Sequence, residues 1–166
     1  VTRGSNTYGP YQYPEKLIPV LVTNAIDDRP LPLYNDGSAV RDFVYVEDHC
    51  RAIDRVLHEA PAGGVYNVGT GVETSGLQIA EAVLEILGKP RSLIEFVADR
   101  PGHDYRYAID TTRALELGWE PAVELAEGLE RTVRWYQSNE AWWRPLKSGE
   151  YWEYYKRNYR PLEQPR

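Results

Sequence analysis

The sequence predicts a small mixed α/β unit, and three observations carry that expectation. Short β-like segments alternate with helical ones along the chain. Clusters of Gly, Pro, Asn and Asp punctuate them. The apolar fraction, 42% of 166 residues, suffices for a core. The strands are few and short, a poor sheet on their own, so the unit is expected to be a piece of something larger. The absence of Met, at position 1 and throughout, fits that expectation.

Each element has a local cause. Val1–Ser5 reads as a strand end and Asn6-Thr7-Tyr8-Gly9-Pro10 as a turn. Apolar spacing from about Ile18 to Asp27 is helical, with Pro19 tolerable because it falls in the first turn. Leu31-Pro32-Leu33-Tyr34 is extended and Asn35-Asp36-Gly37 turns the chain. Asp42–Val46 is β-like, and Glu47–Glu59 is a helix with Cys50, Ile53, Val56 and Leu57 on its apolar face, ended by Pro61-Ala62-Gly63-Gly64. Val65–Val68 is a strand followed by the loop Gly69-Thr70-Gly71. Ser75 caps a helix over Leu77–Leu87 that Gly88 and Pro90 close. Leu93–Val97 is a strand, Thr111–Leu117 a short helix, and Leu125–Gln137 a longer one burying Leu129, Val133 and Tyr136. Trp142–Tyr159 carries seven aromatics, with Tyr151, Tyr154, Tyr155 and Tyr159 at helical spacing, so an amphipathic helix ends the chain.

Composition excludes several roles. A net charge of −6 argues against general binding to nucleic acid or an anionic membrane surface. No apolar run is long enough to span a bilayer and no signal peptide opens the chain, while a lone cysteine fits a reducing, cytoplasmic setting. The single cysteine, Cys50, cannot form an internal disulfide and reads as a small core residue. His49, His58 and His103 lack metal-ligand spacing, so no metal is expected. The Gly69-Thr70-Gly71 loop has no third glycine, position 74 being Thr, and reads as a tight connection rather than a dinucleotide cradle. There is no Walker loop, nucleophile elbow or triad.

Two segments look chemically purposeful: Asp36-Gly37-Ser38-Ala39-Val40-Arg41-Asp42 and Asp99-Arg100-Pro101-Gly102-His103-Asp104. A guanidinium is a permanently charged fork matched to phosphate oxygens, and two converging would suit a diphosphate. Equally, each arginine could pair with a neighbouring aspartate and pin its own loop. Residues alone leave both readings open.

A resemblance separates them. Ser5–Pro19, with its Pro14-Glu15-Lys16-Leu17-Ile18-Pro19, resembles the segment that distinguishes dTDP-glucose 4,6-dehydratases within the extended short-chain dehydrogenase/reductase superfamily. Pro32-Leu33-Tyr34, Arg41–His49, Ala98–Asp110 and Lys147-Ser148-Gly149-Glu150-Tyr151 are similar too, so the likeness covers nearly the whole chain. The Arg-Asp strand and Tyr66-Asn67-Val68-Gly69 are widespread in the superfamily, whereas the Lys-Leu-Ile-Pro and Asp-Arg-Pro-Gly-His-Asp segments are specific. The resemblance implies that residues 1–166 form a carboxy-terminal nucleotide-sugar-binding domain lacking most of the Rossmann domain, whose last strand and loop occupy about 1–15.

It also implies roles. Asn6 would bond the sugar-diphosphate, and Thr7 would lie near the nicotinamide end of NAD. Lys16 and Leu17 would run along the nucleotide, with Pro32, Leu33 and Tyr34 beside the thymine. Arg41 and Arg100 would clamp the diphosphate, with Asp99, Pro101, Gly102 and His103 completing that wall. Tyr34 could equally be core packing, and Lys16 a solvated lysine. One departure is Gly76, which stands where the family usually has Asn and offers only backbone groups.

In the family NAD takes hydride from sugar C4, an acidic pair drives loss of water across C5 and C6, and the hydride returns at C6. No Tyr-x-x-x-Lys couple, acidic pair in context or Rossmann glycine pattern stands in this sequence. The chain alone is therefore expected to bind a dTDP-sugar weakly, to hold no NAD, and to catalyse nothing without the missing Rossmann domain. Exposed faces and strand edges would favour self-association, with Val1–Ser5 available for exchange. Competing readings are part of a UDP-sugar 4-epimerase or decarboxylase, to which Thr74-Ser75 is similar, and an interaction module using the aromatic tail.

Overall fold

The computed structural model describes residues 1–99 and 102–159. Parallel pairing between distant segments organises the chain. β1 (Thr2–Gly4) pairs with β5 (Tyr66–Val68), and after Ser5 the same run becomes β2 (Asn6–Tyr8), which pairs with β4 (Val40–Tyr45). Antiparallel β6 (Glu73–Ser75) adds to the far side of β4, and β3 (Leu31–Tyr34) pairs in parallel with β7 (Ile94–Val97). The expected turn at Asn6–Pro10 is thus half strand. Asn6 to Tyr8 take β geometry because Phe43, Val44 and Tyr45 lie alongside. The bend begins only at Gly9, whose φ of 142° favours glycine.

Three helices bury one core. α1 (Leu17–Ile26) keeps Pro19 in its first turn and buries Ile18, Leu21, Val22 and Ala25. α3 (Gly76–Leu87) starts on a capping box, Ser75 accepting from the Gln78 amide while the Gln78 side chain accepts from the Ser75 amide. It ends at Gly88 in the left-handed region, φ 63°. α5 (Leu125–Ser138) contributes Leu129, Val133 and Tyr136, and these helices pack with Leu31, Leu33, Phe43 and Tyr8. A second, smaller cluster joins Val44, Ala52, Val68, Ala114 and Trp119 beneath α2 (Val46–Glu59) and α4 (Thr112–Glu116).

α2 faces otherwise than expected. Asp48 and Ala52 point inward, while Cys50 is exposed and Ile53 and Leu57 are 44% and 75% exposed. Asp48 fixes that rotation. Its carboxylate, 1% exposed, accepts from the amides of Ala122 and Val123 and from Arg51, and its carbonyl accepts from the Trp119 indole. A buried carboxylate with these donors outweighs the exposure of Cys50, Ile53 and Leu57, while Val56 stays partly buried. Cys50 is therefore a surface residue, not part of the core.

After α6 (Glu140–Trp143), α7 (Gly149–Asn158) turns back onto α1. Lys147, 6% exposed, donates to Thr23 Oγ1 and Asn24 Oδ1 of α1, and Asn24 Nδ2 donates to the Tyr155 hydroxyl. The aromatic tail is packed against its own body, which removes the main support for an interaction module. No helix among the described residues is long and apolar enough to cross a membrane.

Candidate functional site

A cleft of about 810 Å3 opens where β2, α1, β3 and β4 end together. That volume suits a ligand of several rings. Its walls come from far-apart segments. Asn6 and Thr7 enter on β2, Lys16 and Leu17 precede and start α1, and Pro32, Leu33 and Tyr34 arrive on β3. Arg41 comes on β4, and Gly102 and His103 on the loop after β7. Lys16 is an exposed rim residue paired with Glu15 at 2.7 Å. Leu33 belongs to the core and only edges the cleft. Asp99 does not line the cleft. It stands behind His103, accepting from Asn35 at 2.7 Å. Arg100 and Pro101 lie outside the described residues.

Arg41 is held in a frame of carbonyls and rings. Its guanidinium donates to the carbonyls of Val40 (2.7 Å), Tyr105 (3.2 Å) and Asp104 (2.5 Å) and lies 4.8 Å from the Tyr107 ring centre. It also meets His103 Nε2 at 3.0 Å, while His103 Nδ1 meets Asp99 at 2.7 Å. The Nδ1–H tautomer satisfies both contacts, donating to Asp99 and accepting from Arg41. Asp42 turns away. Its buried carboxylate takes the amides of Thr70 and Gly71 and the Thr70 hydroxyl, at 2.6–3.0 Å. The Asp104 carboxylate accepts from the Tyr107 hydroxyl at 2.6 Å. The Asp42 and Asp104 carboxylates are thus each met by neutral donors.

Asp42 also decides the loop after β5. Its use of the Thr70 and Gly71 amides leaves that turn unfit as a cradle for a dinucleotide pyrophosphate. At the other end, Thr7 Oγ1 lies 2.6 Å from His49 Nδ1, and burial holds that imidazole below its ordinary value. Among the described residues, Ser5 Oγ and Gln12 Oε1 are buried polar atoms without a partner, and both residues line the cleft. No group of three or more His, Cys, Asp or Glu suited to a metal ion is found among the described residues.

Sequence reasoning missed Gln12, whose amide donates to the Thr7 carbonyl at 2.7 Å. It also missed Tyr107 beneath Arg41, and Tyr154 and Tyr159 from the end of the chain. Helical spacing marked those last two as an amphipathic face but could not say what the face met.

Fold and comparisons together define the class: a mixed α/β unit of the extended short-chain dehydrogenase/reductase superfamily. A family model described as GDP-mannose 4,6 dehydratase matches residues 1–132, and the chain belongs to that family. Within it, the chain is 51% identical over 149 residues to a dTDP-glucose 4,6-dehydratase of Streptomyces niveus, covering 89% of this chain and 44% of the relative. The dTDP-glucose 4,6-dehydratase of Bacillus anthracis strain Ames, solved in complex with NAD, superposes with a TM-score of 0.84 at 52% identity, covering 88% of this chain and 47% of that one. A UDP-glucose 4-epimerase of Thermotoga maritima, solved with UDP-glucose, gives 0.79 at 32% identity, covering 84% and 46%. The chain spans less than half the length of these relatives.

Proposed function

We propose that this chain is the nucleotide-sugar-binding part of a dTDP-glucose 4,6-dehydratase, converting dTDP-glucose to the 4-keto-6-deoxy sugar and water once its Rossmann part is present. One observation carries the reading. Residues scattered from Asn6 to His103, each matching the dehydratase motifs, line a single cleft around a fixed guanidinium. Arg41 binds the diphosphate, with His103 and Asp99 holding it in place and Arg100 as the second cation. Asn6 bonds the sugar-diphosphate. Lys16 and Leu17 follow the nucleotide, and Pro32, Leu33 and Tyr34 flank the base. Gly102 lets the loop approach the phosphates.

NAD would supply hydride chemistry in the complete protein, with Thr7 facing its nicotinamide end. The Gly69-Thr70-Gly71 turn spends its amides on Asp42 rather than on a dinucleotide. The chain alone accordingly turns over no substrate. Isothermal titration tests the binding role. dTDP is expected to bind more tightly than UDP, and Arg41→Ala to weaken it by roughly tenfold or more, the loss of a charge-assisted contact of about 1.5–3 kcal/mol. Tighter UDP binding would favour the epimerase class, whose fold this chain shares at 32% identity. Affinity untouched by Arg41→Ala would sink the clamp.

A further inference from the structure

We infer that Tyr159, at the carboxyl end of α7, is a base-stacking residue of this cleft, extending the aromatic wall that Tyr34 begins. The inference rests on the nucleotide reading above and adds a residue that none of its motifs contains.

The geometry points there from three sides. Tyr159 and Tyr34 lie with ring centres 5.5 Å apart and planes 19° from parallel, and both line the cleft. His103, which touches Arg41, meets Tyr34 edge-on at 5.2 Å. The aromatic wall is therefore joined to the guanidinium through His103. Two nearly parallel, offset rings form a short aromatic stack at the cleft, and any nucleobase has a π face to add to it.

The stack is also held in position. Tyr159 packs on Tyr155 at 4.8 Å, and the Tyr155 hydroxyl bonds Asn24 of α1 at 3.0 Å. Asn24 is bonded in turn by Lys147, and α1 begins at the cleft with Leu17. The end of α7 is thus tied to the helix that supplies the nucleotide wall. Tyr159 packs on Tyr34 and Tyr155 and lines the cleft.

The experiment is titration of dTDP into the parent chain and into Tyr159→Leu and Tyr159→Phe variants, with thermal unfolding of each. Leu keeps apolar bulk without a ring, and Phe keeps the ring without the hydroxyl. Tyr159→Leu is expected to bind about tenfold more weakly, in line with base–aromatic stacking, with Tyr159→Phe close to the parent and the unfolding midpoints alike. Affinity of Tyr159→Leu within twofold of the parent, or tighter, overturns the inference while leaving the functional reading intact. So does a loss that Phe does not rescue, or one matched by a fall in unfolding temperature. A parent chain that binds no dTDP overturns both.

Discussion

Gly128 shows how much a single residue can decide. It sits inside α5, where alanine is the better helix former by about 1 kcal/mol. A Cβ there would run into the Tyr8 hydroxyl and crowd Tyr45, both core residues on the strands that frame the cleft. Gly128→Ala is therefore expected to destabilise the fold by about 1–3 kcal/mol, the usual cost of overpacking. Adding Tyr8→Phe should restore much of the loss, since the hydroxyl makes only a 3.4 Å contact with the Leu125 carbonyl. Chemical denaturation of the single and double variants would show it. A neutral or stabilising Gly128→Ala would mean that α5 is not pressed against β2 as described. No periodicity could have revealed this glycine, because its reason lies on a strand far away in the chain. Asp48 is similar: it reads as a polar residue early in a helix, and only the amides of Ala122 and Val123 explain its burial.

At the scale of elements, α7 is fastened by a lysine inside an aromatic enclosure. Lys147 lies 5.4–5.5 Å from the ring centres of Trp143, Tyr151 and Trp152. Burial pulls its pKa down from 10.5 to about 8, partly offset by Asp27. The sign follows from proton counts. Between about pH 8 and 10.5 the unfolded chain keeps a proton that the folded chain has released, so stability should rise with pH across that window. Above pH 10 the trend reverses. Burial raises the hydroxyls of Tyr136, Tyr151 and Tyr159 above their ordinary value of 10.0, so the unfolded chain ionises first. Denaturation midpoints at stepped pH should therefore peak near pH 9–10, and Lys147→Met should abolish the rising limb. A parent chain that loses stability steadily from pH 7.5 to 9.5 would contradict this account of the lysine.

For the molecule as a whole, the exposed stripe of α2 matters most. Ile53 and Leu57 face solvent on a helix whose other side is well packed, and β1 has a strand neighbour on one edge, β5. Apolar surface of this kind promotes association. Sedimentation velocity should show concentration-dependent self-association of the chain, reduced by Ile53→Lys with Leu57→Lys. These positions are exposed, so unfolding midpoints should change little. A monomer at all concentrations, unaffected by the substitutions, would remove the argument.

Much of the fold was legible locally. The helices of Leu17, Gly76 and Leu125 follow from apolar spacing and caps, and the strands around Leu31, Phe43 and Tyr66 from β-like runs between turn residues. The motifs around Lys16, Arg41 and His103 marked the candidate cleft through their resemblance to a family, since the residue types alone left an arginine clamp and a self-paired loop both open. Three things were settled only in space. Asn6–Tyr8 became a strand because β4 lay beside it, α2 turned its Cys50–Leu57 stripe outward because Asp48 found buried donors, and Tyr159 reached Tyr34 because Lys147 folded the tail onto α1. Local pattern sets what a segment can form, but which partner it meets depends on contacts between residues far apart in the chain, and those are made only in the folded state.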